Sequence, residues 1–85
     1  MAHTVEFAPS AEREFRKLAR EIQLRLRPRV DMLAHDPRPA GAKKLKARED
    51  LWRIRVGNYR IVYEVRDRNL VVLVIRVAHR REVYR

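Results

Sequence analysis

Three arginines lie close together in the second half of the sequence, and their spacing predicts that they share one face of a β-hairpin. Apolar and basic side chains alternate on both sides of Gly57-Asn58, a pair that suits a two-residue type II′ turn. In that register Arg55 lies opposite Arg60, and Arg53 follows on the same face. Like charges placed directly opposite each other destabilise a sheet by up to about 1 kcal/mol. Three guanidinium groups held together in this way are suited to binding an anion, and a solvated outer face is the alternative.

Further side chains that could take part in catalysis or binding follow the last predicted strand. His79, Arg80 and Tyr84 supply an imidazole, another guanidinium group and an aromatic ring. A guanidinium cluster can hold a phosphate and stabilise the added charge of a pentacoordinate transition state. An aromatic ring at its rim can stack an unpaired base. If the 2′-hydroxyl of RNA attacks the adjacent phosphate, the reaction needs neither a protein nucleophile nor a metal ion, so these residues suit RNA.

Other kinds of site have little support in this sequence. Cysteine is absent, which excludes disulfides, thiol nucleophiles and cysteine metal sites. The three histidines are far apart in sequence and no carboxylate cluster accompanies them, so we expect no metal and no cofactor. Ser10 is the only serine and belongs most simply to a helix start. Two isolated glycines cannot form a phosphate-binding or dinucleotide-binding loop.

The charge of the chain is strongly positive and unevenly distributed. The formal net charge is +10; residues 1–42 hold 8 Lys and Arg against 6 Asp and Glu, whereas residues 43–85 hold 13 against 5. This excess favours a polyanionic partner, with nucleic acid ahead of a membrane. The longest apolar run, 70–75, is far shorter than the roughly 20 residues that span a bilayer, and residues 1–20 lack an apolar signal segment. We therefore expect a cytoplasmic protein with one domain over residues 1–85.

Hydrophobic periodicity predicts an α+β fold. Two N-terminal helices would pack on one face of a mainly antiparallel four-stranded sheet. A short first strand is predicted over residues 3–7, and a helix begins at Ser10. The apolar stripe continues through His35, and we expect a kink or a helix restart near Pro28, because proline removes a backbone donor. The opposite face of the sheet would stay open as a basic, concave surface.

The remaining strands follow a basic connector. They are predicted at about 51–56, 59–66 and 70–78, with the last one apolar at almost every position. The length of the loop before that strand is ambiguous, so Arg76 can be assigned to neither face. Glu64, on the same side as Arg60, is interpreted as a structural counterion. The aromatic side chains predicted in the core are Trp52, Tyr59 and Tyr63.

In three stretches, Lys44-Leu45, 51–65 and 71–85, the sequence resembles the RelE/ParE superfamily of bacterial type II toxins, and most of all its RelE branch. The hairpin and the terminal His-Arg-Arg-Glu-Val-Tyr run are the specific parts of the match, which covers essentially the whole chain. The resemblance implies a RelE-like fold. It also implies a toxin that enters the ribosomal A site and cuts messenger RNA without a metal ion, leaving a 2′,3′-cyclic phosphate and a 5′-hydroxyl.

The resemblance also implies roles for individual residues. The best-known family member has lysines where this chain has Arg53 and Arg55, and one of those lysines is its general base. Arginine does not readily lose a proton, so we expect His79 to act as the base, since histidine exchanges protons near neutral pH. Catalysis by positioning and charge alone is the alternative. The implied catalytic set is Arg53, Arg55, Arg60, Arg80, Tyr84 and His79. Contacts with RNA or the ribosome are expected from Lys43, Lys44, Lys46, Arg48 and Arg81.

The partners implied by the resemblance are a cognate antitoxin, the 70S ribosome and messenger RNA. DNA would be contacted only through the toxin–antitoxin complex, and no membrane is expected. Two other functions are also compatible with the sequence: a ParE-like inhibitor that poisons DNA gyrase by binding, and a basic module that binds RNA or ribosomes without cutting. The fold alone does not separate them. The arginine set together with Tyr84 favours the nuclease, because an inhibitor that cuts nothing has no need of it.

Overall fold

The computed structural model describes residues 2–46 and 50–79 and has the predicted α+β architecture. Its five strands form one sheet in the order β1-β5-β4-β3-β2, in which β1 and β5 are parallel and the other neighbours antiparallel. In chain order the elements are β1 (Thr4–Phe7), α1 (Pro9–Arg16), α2 (Arg20–Met32), β2 (Lys43–Lys44), β3 (Leu51–Val56), β4 (Tyr59–Arg66) and β5 (Val71–His79).

The hairpin formed by β3 and β4 has the predicted register. Val56 pairs with Tyr59, and Arg55 pairs with Arg60. Gly57 has a φ of +60°, and Asn58 is not among the non-glycine residues with positive φ, as a type II′ turn requires. Because side chains alternate along each strand, this turn fixes which residues face the helices and which face away.

The sheet has a fifth strand, so the prediction of four strands is wrong. β2 lies in the segment predicted to be a basic connector, where Lys43 pairs with Arg53 and Lys44 pairs with Trp52. A two-residue strand is too short to show a period of two in the sequence, and it forms because the edge of β3 offers unpaired backbone groups. The consequence is that Lys43 lies beside Arg53 at the edge of the sheet.

The two helices are divided at a different place from the one predicted. α2 runs through Pro28 without ending there, and the restart lies at residue 20, after the extended backbone of Ala19. The side-chain amide of Gln23 donates to the carbonyl groups of Leu18, at 2.9 Å, and Arg16, at 3.3 Å, which satisfies acceptors where α1 ends. Neither helix in the described ranges has the length and apolar character needed to cross a lipid bilayer.

Burial explains why α2 tolerates an internal proline. Leu26 and Val30 flank Pro28 and are completely buried, and Leu33 follows just after the helix. Tertiary packing of an apolar face contributes more to helix stability than local propensity does. The core joins these side chains and Ala11 of α1 to the inner face of the sheet, whose buried residues are Ile54, Val56, Ile61, Tyr63, Val65, Val72, Val74 and Val77.

The outer face of the sheet is less open than predicted. Arg60, Val62 and Glu64 of β4 alternate on this face and are 1%, 8% and 6% exposed, respectively. β4 lies between β3 and β5, so side chains of two neighbouring strands flank its own and shield them from water. The open basic surface expected from the sequence is therefore restricted to the β3 side, where Arg55 and Lys43 are exposed.

Candidate functional site

A cavity of about 320 Å³ lies where β2, β3 and β4 adjoin. The residues that line it are Gly41, Lys43, Arg53, Ile54, Arg55 and Arg60. Four of the six carry a positive charge, and they come from three strands. The structure therefore brings together Arg53, Arg55 and Arg60 of the predicted catalytic set, and adds Lys43 from the predicted RNA-binding set.

The arginines of the cavity differ in burial. Arg55 and Arg60 are direct cross-strand partners, with Arg55 exposed to solvent and Arg60 buried. Arg53 has intermediate exposure. A buried guanidinium group is held in one place by its surroundings, whereas an exposed one can move toward a ligand. The cavity thus combines a fixed cation at its base with adaptable cations at its rim, an arrangement suited to a phosphate group.

The loop before β2 positions Lys43 and Gly41, and it is attached to the body of the protein at several points. The phenol of Tyr63 donates a hydrogen bond of 2.6 Å to the carbonyl oxygen of Pro37. Arg38 forms an ion pair of 2.7 Å with Asp67 and places its guanidinium group 5.5 Å from the centre of the Trp52 ring. Because the loop is fixed to β3, β4 and the β4–β5 turn, the strand that follows it enters the sheet edge at a defined register.

The surroundings of this loop also shift the pKa values of two side chains. Burial of the phenol raises the pKa of Tyr63 to about 12, and the nearby Asp36 adds to this effect while Arg38 opposes it. The hydrogen bond from Arg38 holds the pKa of the exposed Asp67 carboxyl below its ordinary value, and a second contact with His3, at 3.2 Å, acts in the same direction. Both shifts favour the protonation states that keep the loop attached at neutral pH.

His79, the predicted general base, lies on the other side of the sheet. It pairs with Tyr59 in the β4–β5 register, and the two rings form an edge-to-face contact with centroids 5.4 Å apart. Tyr59 packs against the hydrophobic core. Arg60, the next residue of β4, points to the opposite face. The structure therefore does not bring His79 into the cavity with Arg55 and Arg60.

Two charged side chains on the outer face of the sheet, outside the cavity lining, are engaged in ion pairs. Arg76 pairs with Val62 in the sheet register, and its Nε lies 3.3 Å from a carboxylate oxygen of Glu14 in α1. The other oxygen of that carboxylate accepts a hydrogen bond of 2.8 Å from the backbone of Val77, beyond the last residue of β5 that pairs with β1. Glu64, interpreted from the sequence as a counterion, accepts a hydrogen bond from Arg66 at 2.5 Å.

The other residues predicted to contact RNA or to act in catalysis do not line the cavity in the described part of the chain. Lys44 pairs with Trp52, whose side chain packs on the core, so it points away from the cavity, and Lys46 is exposed just after β2. Arg80 and Tyr84 of the predicted catalytic set, and Arg48 and Arg81 of the predicted RNA-binding set, lie outside the described residues. In the described ranges, no three His, Asp or Glu side chains are placed to hold a metal ion together.

Comparison with known proteins identifies the family of this chain. The family model described as the ParE toxin of type II toxin–antitoxin systems matches residues 5–84. The mRNA interferase toxin RelE of Escherichia coli K12 is 35% identical over 99% of this chain and 92% of its own length. The chain therefore belongs to the RelE/ParE superfamily of type II toxins.

Solved structures give the same result. The crystal structure of the isolated E. coli RelE toxin superimposes with a TM-score of 0.82 at 31% identity, covering 92% of this chain and 84% of that one. The toxin–antitoxin complex RelBE2 of Mycobacterium tuberculosis contains a chain with a TM-score of 0.81 at 30% identity, covering 94% of this chain and all of that one. The fold of the toxin is thus shared along almost the whole length.

The sequence predicted Lys43 as a contact with RNA or the ribosome, but it did not predict that a short strand would pair Lys43 with Arg53. The signal that could have found it is Gly41, a turn residue two positions before the lysine pair, because glycine permits the positive φ of a turn that leads into a strand. Gly41 has a φ of +97° and lines the cavity itself. A short strand after such a turn is expected at an unpaired sheet edge.

Proposed function

We propose that this chain is the toxin of a type II toxin–antitoxin system and acts as a ribosome-dependent endoribonuclease. The observation that carries the proposal is the convergence of Arg53, Arg55 and Arg60 on one cavity large enough for a phosphodiester. The similarity to a relative named as an mRNA interferase supports the same activity. Messenger RNA in the ribosomal A site is the proposed substrate, and the phosphodiester between two of its nucleotides is the bond that breaks.

The arginines would act by positioning and by charge. As the 2′-hydroxyl oxygen attacks the adjacent phosphorus, negative charge accumulates on the non-bridging oxygens, and guanidinium donors placed around them lower the barrier. Arg60, held in the base of the cavity, would fix the phosphate. Arg55 and Arg53 would close on it from the rim. The products are a 2′,3′-cyclic phosphate and a 5′-hydroxyl, and no metal ion is part of this proposal.

Two further groups belong to the proposal through the family resemblance. Arg80 would contribute another cation and Tyr84 an aromatic ring against which a base stacks. The expected contacts with ribosomal RNA come from exposed basic residues around the cavity, and binding through phosphates should weaken steeply as salt rises. An antitoxin is the proposed protein partner, since a chain of the same fold forms a toxin–antitoxin complex in M. tuberculosis.

Primer extension on messenger RNA from cells that express the chain tests this function. We expect cuts phased with the codons for the wild-type protein, and loss of those cuts for Arg55→Ala. Arg68→Ala is the matched control, because Arg68 is exposed in the β4–β5 turn and does not line the cavity. Intact messages accompanied by DNA-damage signalling would instead identify a gyrase inhibitor. Intact messages with stalled ribosomes would identify a binding module, and both results would reject the proposed nuclease.

A further inference from the structure

We infer that Lys43 is the general base of the reaction, the group that takes the proton from the attacking 2′-hydroxyl. This inference rests on the proposed nuclease function and goes beyond the role of an RNA contact predicted from the sequence. It follows from which groups the structure places around the cavity and from which of them can exchange a proton.

The position of Lys43 is fixed by backbone pairing. It lies directly opposite Arg53 in the β2–β3 register, so the two side chains project from the same face of the sheet. It lines the same cavity as Arg55 and Arg60. The preceding loop is attached through Tyr63 and Arg38, as described above, which orders the entry into β2. Lys43 therefore lines the cavity from β2, which lies across β3 from β4.

The other described residues that line the cavity cannot act as the general base. A guanidinium group keeps its proton at any pH at which the protein is folded, so Arg53, Arg55 and Arg60 can donate hydrogen bonds but cannot accept a proton. Gly41 and Ile54 have no titratable side chain. His79 lies on the opposite face beside Tyr59. In the part of the chain that the structure describes around the cavity, Lys43 is the one group that can act as an acid or a base.

The charges that line the cavity with Lys43 come from β3, the neighbour of β2, and from β4, the next strand of the sheet. Arg53 and Arg55 approach it from β3, and Arg60 from β4. Two other charged side chains on this face have partners of their own: Glu64 bonds to Arg66, and Arg76 pairs with Glu14. The described side chains that line the cavity beside this amine are therefore cationic, and a bound phosphate would compensate their charge.

The proposed step is a transesterification within the RNA. The neutral Nζ of Lys43 accepts the proton of the 2′-hydroxyl, and the O2′ electron pair forms a bond to phosphorus. The bond from phosphorus to the 5′-oxygen of the next nucleotide breaks, and that oxygen leaves with the electron pair and takes a proton from water. Lys43 then returns its proton to solvent. The arginines remain protonated throughout and hold the phosphoryl oxygens.

The first test is Lys43→Arg, which keeps the positive charge and removes the exchangeable proton. Single-turnover cleavage of messenger RNA on purified ribosomes should fall by about 10²- to 10⁴-fold, as expected for a lost general base, while binding to the ribosome is unchanged. Lys17→Arg is the matched control, because Lys17 is an exposed lysine at the end of α1 and lies away from the cavity. Equal thermal midpoints for both variants would show that the fold is retained.

The second test lowers the basicity of the amine at position 43. The chain has no cysteine, so Lys43→Cys can be alkylated selectively with 2-bromoethylamine, which gives a lysine analogue with a less basic amine. We expect the alkylated protein to regain activity and its log rate to reach a plateau at lower pH than that of the wild type, because the neutral amine is the active form.

The outcomes separate this inference from the proposed function. Wild-type cleavage together with an unimpaired Lys43→Arg protein would overturn the role of Lys43 and leave the nuclease in place. An alkylated protein that recovers activity with an unshifted pH profile would do the same, because the amine would then act only as a charge. A wild-type protein that leaves ribosome-bound messenger RNA intact would reject the nuclease function itself.

Discussion

The two faces of the β3–β4 hairpin are built from alternate residues of the same two strands, yet they have opposite effects on the stability of the fold. On the inner face Ile54 pairs with Ile61, and both are almost completely buried in the core. On the outer face, one residue further along, Arg55 pairs with Arg60. The first pair stabilises the sheet by removing apolar surface from water, whereas the second opposes folding by placing like charges together.

The two faces of the hairpin therefore differ in whether they contribute to stability or to function. A chain of 85 residues has a modest core and little stability in reserve. The sheet register places the charges of Arg55 and Arg60 opposite each other, and this arrangement lowers the stability of the fold. The outer face is therefore expected to be the functional one and the inner face the structural one, and substitutions on the two faces should separate activity from stability.

Among the substitutions in the hairpin, Arg55→Ala should have the largest effect on activity. Removing one donor to the charged transition state is expected to lower the single-turnover cleavage rate by about 10²- to 10³-fold. The thermal midpoint should stay the same or rise, because the side chain is exposed and its loss relieves repulsion with Arg60. Differential scanning calorimetry beside the cleavage assay checks both. If the variant unfolds, the outer face is structural and the distinction between the faces fails.

Ile61→Ala should show the reverse pattern. Ile61 is completely buried, and truncating it leaves a cavity that lowers the free energy of unfolding by about 2–5 kcal/mol. Urea denaturation measures this loss. At a temperature where the variant remains folded, its cleavage rate should lie close to that of the wild type. A folded variant with a rate reduced as strongly as that of Arg55→Ala would show that the inner face also serves catalysis.

Gly57→Ala tests the turn that assigns residues to the two faces. Gly57 has a φ of +60°, which an L side chain adopts at a cost of about 1–2 kcal/mol. An added Cβ would also lie 3.5 Å from a guanidinium nitrogen of Arg25, an ordinary contact, so the backbone conformation is the main source of the loss. Chemical denaturation should show destabilisation of that size. Gly57→Asn should cost less, since asparagine tolerates positive φ, and equal losses would contradict this explanation.

Tyr63→Phe should have the smallest effect, and it adds a pH dependence. Loss of the hydrogen bond to Pro37 should lower stability by about 1 kcal/mol at neutral pH. The pKa of Tyr63 is raised to about 12 in the folded protein, so its contribution is complete below the ordinary value near 10 and is lost as pH rises through 12. Denaturation between pH 9 and 12 should therefore become less pH-dependent in the variant. An unchanged slope would show that the phenol ionises equally in both states.

Much of the fold was predictable because it depends on local patterns. Alternation on both sides of Gly57 gave the hairpin register, and the proline and serine after Phe7 gave the start of α1. The boundary between the helices was not predictable from Pro28, because burial of Leu26 and Val30 outweighs the local effect of proline. β2 was missed because two residues do not establish a period.

The site could be predicted in the β3–β4 hairpin, where the strand register is regular, but not in β5, where the register shifts. In β5 the pairing shifts between Val62 and Tyr63, so that Val62 meets Arg76 while Tyr63 meets Val74, and Ile75 is an extra residue. Such a bulge moves every later side chain to the other face. It places His79 beside Tyr59 rather than on the face of Arg60, and no alternation in the sequence marks it.

The central claim is that the arginines of the outer face hold a phosphodiester while the RNA's own hydroxyl attacks it. The most direct test is a messenger RNA with a single 2′-deoxynucleotide immediately 5′ of the scissile phosphate, placed in the A site of purified ribosomes with the wild-type protein. We expect cleavage at that bond to be abolished while the protein still binds the programmed ribosome. Cleavage at the rate of the all-ribose message would contradict the account.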